Sequence, residues 1–130
     1  MKKYLILLLL FFSMESIMAQ DSMVRLAEIE IYPDFLKEYV EILKEEASAS
    51  VQLEEGVISI FPIFLKDSPT QIRILEIYAN KEAYESHLKT LHFQKYKSST
   101  FNMVKSLRLI DMSTIDQAGM NEIFLKLKAR

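Results

Sequence analysis

The sequence predicts an α+β domain with the element order β-α-β-β-α-β. Three features predict it: strict alternation of apolar residues near the start, an apolar hairpin in the middle, and helical periodicity on either side of that hairpin. Strands and helices in this order make the ferredoxin-like arrangement, one sheet with its helices on one face.

In the first strand, Met23 to Tyr32, Ala27, Ile29 and Ile31 share one face, and Leu26, Glu28, Glu30 and Tyr32 the other. Pro33-Asp34 stops the strand and starts a helix, with Asp34 as its N-cap or first-turn acid. Leu36, Tyr39, Val40, Leu43, Ala47, Ser50 and Val51 follow at helical spacing, while Glu41, Lys44, Glu45 and Glu46 lie largely off that stripe and read as solvated charges. Gly56 stands where a left-handed cap would end the helix.

Val57 to Lys66 is apolar on both parities, the mark of a strand buried on both sides. Pro62 within it calls for an edge position or a bulge, because proline cannot donate to a central ladder. Asp67-Ser68-Pro69-Thr70 is the turn, and Gln71 to Tyr78 returns as the partner strand. Asn80 can cap a second helix whose inward stripe is Ala83, Tyr84, His87, Leu88 and Leu91, with further helical turns from Phe93 to Thr100. Met103 to Met112 is the last strand. In the tail, Met120, Ile123, Phe124 and Leu127 at i, i+3, i+4 and i+7 predict a short amphipathic helix.

Three segments follow: residues 1–19, a signal peptide; 20–112, the domain; and 113–130, the tail with its helix. Lys2 and Lys3 precede an apolar run from Tyr4 to Phe12, and Ala19 supplies a small residue at the cleavage point. That run is about half of the roughly 20 residues that a membrane-spanning helix needs. The expected localisation is export, to the periplasm or outside the cell, with no membrane attachment after cleavage.

Composition narrows the function. Loss of Lys2, Lys3 and Glu15 takes the formal charge from −2 to −3, with both signs interspersed, so no basic stripe is present for nucleic acid. The chain has no cysteine, and in an oxidising compartment its fold rests on packing alone. Its two glycines, Gly56 and Gly119, cannot build a glycine-rich phosphate cradle of the dinucleotide or P-loop type. A second strand apolar on both faces would leave one sheet face uncovered in a monomer, which predicts a homodimer packed sheet to sheet.

Ionisable residues at inward positions point to the chemistry. His87 shares its stripe with Tyr84 and Leu88; Glu76 and Tyr78 share a strand face with Ile72 and Ile74. A carboxylate against apolar surroundings has its pKa raised, and a nearby imidazole would complete an acid/base pair. His87 and His92 are five residues apart, about 140° round a straight helix, so no metal site is predicted from them. No HExxH motif and no G-x-S-x-G elbow occurs.

Four segments, Ala27-Glu28-Ile29-Glu30-Ile31-Tyr32-Pro33-Asp34, Glu54-Glu55-Gly56-Val57, Ile74-Leu75-Glu76-Ile77-Tyr78-Ala79-Asn80 and His87-Leu88-Lys89-Thr90-Leu91-His92-Phe93, resemble the antibiotic biosynthesis monooxygenase-like domains, and the candidate quinol monooxygenases among them. The resemblance implies a dimeric α+β barrel with a pocket between sheet and helices, and oxidation of an electron-rich aromatic by O₂ without flavin, metal or other cofactor. By the same resemblance His87 is the base or substrate donor and Glu76 its orienting partner. His92, Tyr78, Tyr84 and Tyr96 are then substrate-binding. Many relatives carry proline where this chain has Leu91, so a softer break between helices is expected. The haem-degrading branch uses a tryptophan and a histidine at places that hold His87 and Lys97 here, and the chain has no tryptophan. A small-ligand-binding module and an isomerase of a small signal molecule use the same pocket and remain open readings.

Overall fold

The computed structural model describes residues 22–130; the predicted signal peptide lies outside the described residues. Four strands form one antiparallel sheet: β1 (Met23–Ile31), β2 (Val57–Leu65), β3 (Ser68–Tyr78) and β4 (Val104–Met112), in the order β2-β3-β1-β4. Helix α1 (Leu36–Leu53) joins β1 to β2; α2 (Lys81–His87) and α3 (Leu91–Thr100) join β3 to β4; α4 (Gln117–Lys128) follows β4. The ferredoxin-like order holds, with the second helix broken in two. No helix among the described residues is long and apolar enough to cross a membrane.

Alternation sorts the sheet's side chains. Ala27, Ile29 and Ile31 of β1 and Ile72, Ile74 and Tyr78 of β3 point to the helices and are buried with Tyr39, Leu43 and Ala47 of α1. On the other face the pairing aligns Phe61, Leu75, Leu26 and Ile110 in one row across all four strands. Burial on both sides was expected of β2, but Phe61 is 58 % exposed and Ile63, Phe64 and Leu65 are exposed too. The reason is position: β2 is an edge strand, as Pro62 requires, and the described chain covers only one of its faces.

Several ends differ from the sequence reading. The hairpin turn is tighter than expected, because β3 already begins at Ser68. Pro33 opens a 3-10 turn (Pro33–Phe35) ahead of α1, with Asp34 in its first turn and no side-chain cap. Gly56 is not a left-handed cap, since no glycine has positive φ. It is required by close approach instead: a Cβ there would lie 2.5 Å from the Cβ of Ala83, so Gly56 lets α2 settle against the start of β2. Leu91, expected on the inward stripe, is 88 % exposed because the helix direction changes just before it.

Candidate active site

The break between α2 and α3 builds one wall of the site. Asn80 caps α2, its Oδ1 accepting the Ala83 amide at 2.8 Å. Thr90 then caps α3 by accepting the Phe93 amide at 3.3 Å, while its hydroxyl donates to the His87 carbonyl at 2.8 Å. Leu91 occupies the first helical position, where proline would also fit. The break is therefore sharp without proline, held by one threonine. It also overturns the straight-helix expectation for the two histidines: their rings lie with centroids 6.2 Å apart.

Between the sheet and the helices is a cavity of about 320 Å³. Ala27, Ile29, Ile60 and Ile74 give it an apolar floor, and Leu107 and Leu109 of β4 border it. Its polar groups come from two sides. Glu46, His87 and Tyr96 stand on the helices; Arg25, Glu76 and Tyr78 stand on the sheet. This size suits a ligand of one or two aromatic rings.

On the helix side His87 is only 2 % exposed. Its Nδ1 lies 2.9 Å from Glu54 Oε2, and its Nε2 3.6 Å from Glu46 Oε1. The same Glu54 oxygen lies 2.6 Å from His92 Nε2. Glu46 is buried, and Ser50 donates to its Oε1 at 2.6 Å. The expectation that Glu46 is a solvated charge is thus corrected. It lies three residues after Leu43 and four before Ser50, on the buried stripe of α1. Glu54 ends α1, where a carboxylate faces the negative end of the helix dipole, and the two imidazoles offset that cost.

On the sheet side Glu76 was expected to orient His87, but the hydrogen bond to that ring comes from Glu54. Tyr78 instead donates to Glu76 Oε1 at 2.8 Å. Burial raises the Glu76 carboxyl above its ordinary value, and the Tyr78 hydrogen bond and Arg25 offset only part of the rise. Burial and the neighbouring Glu76 carboxylate push the Tyr78 hydroxyl far up, so it stays a neutral donor. Tyr96 is pushed up to about 12, chiefly by burial, and its hydroxyl meets that of Tyr39 at 2.6 Å. Arg25 donates to the Tyr84 hydroxyl at 2.6 Å and to Asp111 at 2.9 Å.

The structure thus gathers His87, Glu76, Tyr78, Tyr84 and Tyr96 round one cavity. His92 is not among the residues that line it, and stands behind His87 on Glu54. Glu46, Glu54 and Arg25 were given no site role in the sequence reading; Glu46 had a signal in its place on the α1 stripe, and Glu54 in the Glu54-Glu55-Gly56-Val57 segment that carries the resemblance. Among the described residues, Glu46, His87 and His92 could hold a metal ion, each bringing one donor atom within 4.8 Å of the others. Among the described residues, every buried side-chain polar atom already has a hydrogen-bond partner.

Comparison with known proteins bears on this arrangement. The family model for antibiotic biosynthesis monooxygenase matches residues 22–99, which contain the whole His87–Glu54–His92 cluster. The chain belongs to this family. Its fold superposes on a crystal structure from Bacteroides thetaiotaomicron, a candidate antibiotic biosynthesis monooxygenase, with TM-score 0.73 and 46 % identity over 74 % of this chain and 91 % of that one. A candidate monooxygenase from Lactobacillus acidophilus is 32 % identical with TM-score 0.69; the match covers 72 % of this chain and 45 % of that protein. A candidate family member from Nitrosomonas europaea shares the fold, with TM-score 0.71, at 14 % identity over 75 % of this chain and 94 % of that one. No curated protein matches the sequence. Membership supports a general monooxygenase-like function.

Proposed function

We propose that this protein is a cofactor-independent monooxygenase that oxidises a small quinol-like aromatic with O₂. The observation that carries the reading is His87: a buried imidazole on the cavity wall, with Nδ1 2.9 Å from the Glu54 carboxylate and Nε2 3.6 Å from Glu46, which lines the same cavity. Fixing one ring nitrogen by a hydrogen bond sets which nitrogen is free to act as base. Such a base takes a phenolic proton, and the apolar floor keeps water from the electron-rich anion. Tyr78, Tyr84 and Tyr96 supply hydroxyls along the cavity wall, and Glu76, its carboxyl raised by burial, is a second acid/base group lining the same cavity.

Oxygen uptake by the purified protein with a panel of dihydroquinones and naphthols tests this, with His87→Ala as the control. Substrate-dependent uptake that the substitution abolishes supports it. Uptake unchanged in the variant removes His87 from the reaction. Absence of uptake, with ligand-dependent thermal stabilisation, would make the protein a binding module.

Two further readings belong to the proposal. The row Phe61, Leu75, Leu26 and Ile110 supports a homodimer packed sheet to sheet, since a continuous apolar row in water favours association. A monomer mass by light scattering at micromolar concentration would refute it. Lys2, Lys3 and the apolar run to Phe12 support export to the periplasm or medium, to be checked by the N-terminal sequence of the protein recovered outside the cytoplasm.

A further inference from the structure

A base on a cavity wall must pass on each proton it accepts before it can act again. His87 itself barely reaches the surface, being 2 % exposed and packed against Phe93 and Tyr78 at ring distances of 4.8 and 5.5 Å. What it does have is a continuous line to the surface. From Nδ1 the line runs 2.9 Å to Glu54 Oε2, and from that same oxygen 2.6 Å to His92 Nε2. Exposure rises along it: the side chains of His87, Glu54 and His92 are 2, 14 and 20 % exposed.

We propose that Glu54 and His92 are a two-way proton relay connecting His87 to solvent. The inference rests on the reading of His87 as the base. Its chemistry balances for a phenol with a free ring position, HO–Ar–H + O₂ → O=Ar=O + H₂O. The phenol O–H breaks and its proton goes to His87 Nε2. The proton on Nδ1 moves to Glu54 Oε2, Glu54 passes a proton to His92 Nε2, and His92 releases one from Nδ1 to water. The phenolate's electron pair forms the C–O bond to O₂, whose outer oxygen takes up one proton returning along the same line. Loss of the ring C–H proton then makes the second carbonyl and breaks O–O, and the outer oxygen leaves as water. The ring loses four electrons and O₂ gains them.

The round trip solves a difficulty that a one-way relay would have. Each outward hop leaves both imidazoles protonated on the opposite nitrogen, and a ring as tightly packed as His87 cannot turn over to reset itself. The inward hop resets both rings without rotation. The charged and titratable groups round His87 are Glu46 and Glu54 from α1, Glu76 and Tyr78 from β3, and His92 from α3.

The test uses 1,5-dihydroxynaphthalene, whose ring carbon para to one hydroxyl is free, and the variants His92→Ala, His92→Gln and Glu54→Gln. A relay predicts that His92→Ala lowers kcat about tenfold or more with KM little changed, and that added imidazole restores it saturably. Wild-type kcat in both His92 variants overturns the relay and leaves His87 as base. A loss that imidazole does not restore, in a variant with unchanged melting temperature, also overturns it. The chain has only two histidines, so ¹⁵N imidazole spectra are readily assigned. With the relay, a pH titration moves both rings through shared transitions in the wild type and separately in Glu54→Gln. Independent titration in the wild type overturns it. These spectra need no turnover, so the relay is judged even if no aromatic supports oxygen uptake, a result that would sink the monooxygenase reading alone.

Discussion

The two sides of the cavity place their carboxylates by different means. On the sheet side, Glu76 and Tyr78 are two residues apart on one strand, so alternation alone puts them on the same face and the hydroxyl donates to the acid. On the helix side, Glu46 of α1 and Glu54 at its C-cap reach a histidine more than thirty residues later, just before the helix break that Thr90 caps. The first arrangement is local and built on a paired ladder. The second depends on caps and on how closely α2 approaches β2. The result is a contrast in chemistry. The sheet-side acid is buried beside a neutral phenol and resists ionisation, whereas the helix-side acids flank an imidazole that can carry the balancing charge.

The sharpest way to break the contrast is to remove the imidazole. His87→Ala is expected to lower kcat for oxygen uptake by roughly a hundredfold or more, the usual worth of a positioned base. Gly56→Ala should act through geometry, because the new methyl meets Ala83 Cβ. Overpacking of this kind costs about 2 kcal/mol, read as a lower urea midpoint with unchanged m value. Thr90→Ala removes the α3 cap and should cost about 1 kcal/mol in the same measurement.

The smallest effect falls on the sheet side. The folded Glu76 carboxyl titrates above its unfolded value, so between the two the native state holds the extra proton. Stability is then greatest below the unfolded value and declines as pH rises through the folded one. Glu76→Gln keeps an acceptor for Tyr78 and removes that decline. Its melting temperature should exceed the wild type's slightly at neutral pH and converge with it in acid. A variant less stable than wild type at neutral pH would show that the carboxylate is not penalised there.

Much of this was legible in the residues. Alternation in β1, the hairpin, Pro62 at an edge and Asn80 as a cap all follow from local rules, because each concerns neighbours within a few positions. Glu76, Tyr78, Tyr84 and His87 were legible as inward positions of their own elements, while the family resemblance supplied Tyr96 and the substrate-binding roles of the tyrosines. Glu54 could not be found this way, since it lies past the end of its helix and its meaning comes from two rings far along the chain. Arg25 is hidden similarly, its partners Tyr84 and Asp111 coming from other elements. Glu46 was misread by residue type, as an acid assigned to water although its position was apolar. Gly56 was misread by habit of function, a glycine taken for its backbone freedom when what mattered was its missing methyl.

Leu107 and Leu109 face the cavity from β4, yet both are half-exposed, because the helices leave that strand uncovered. They belong at once to the cavity and to the outer surface. A ligand resting on them and a polypeptide lying over them would share one apolar patch. Thermodynamic linkage then makes the two events reciprocal: whatever factor the cover adds to ligand affinity, the ligand adds to the affinity of the cover.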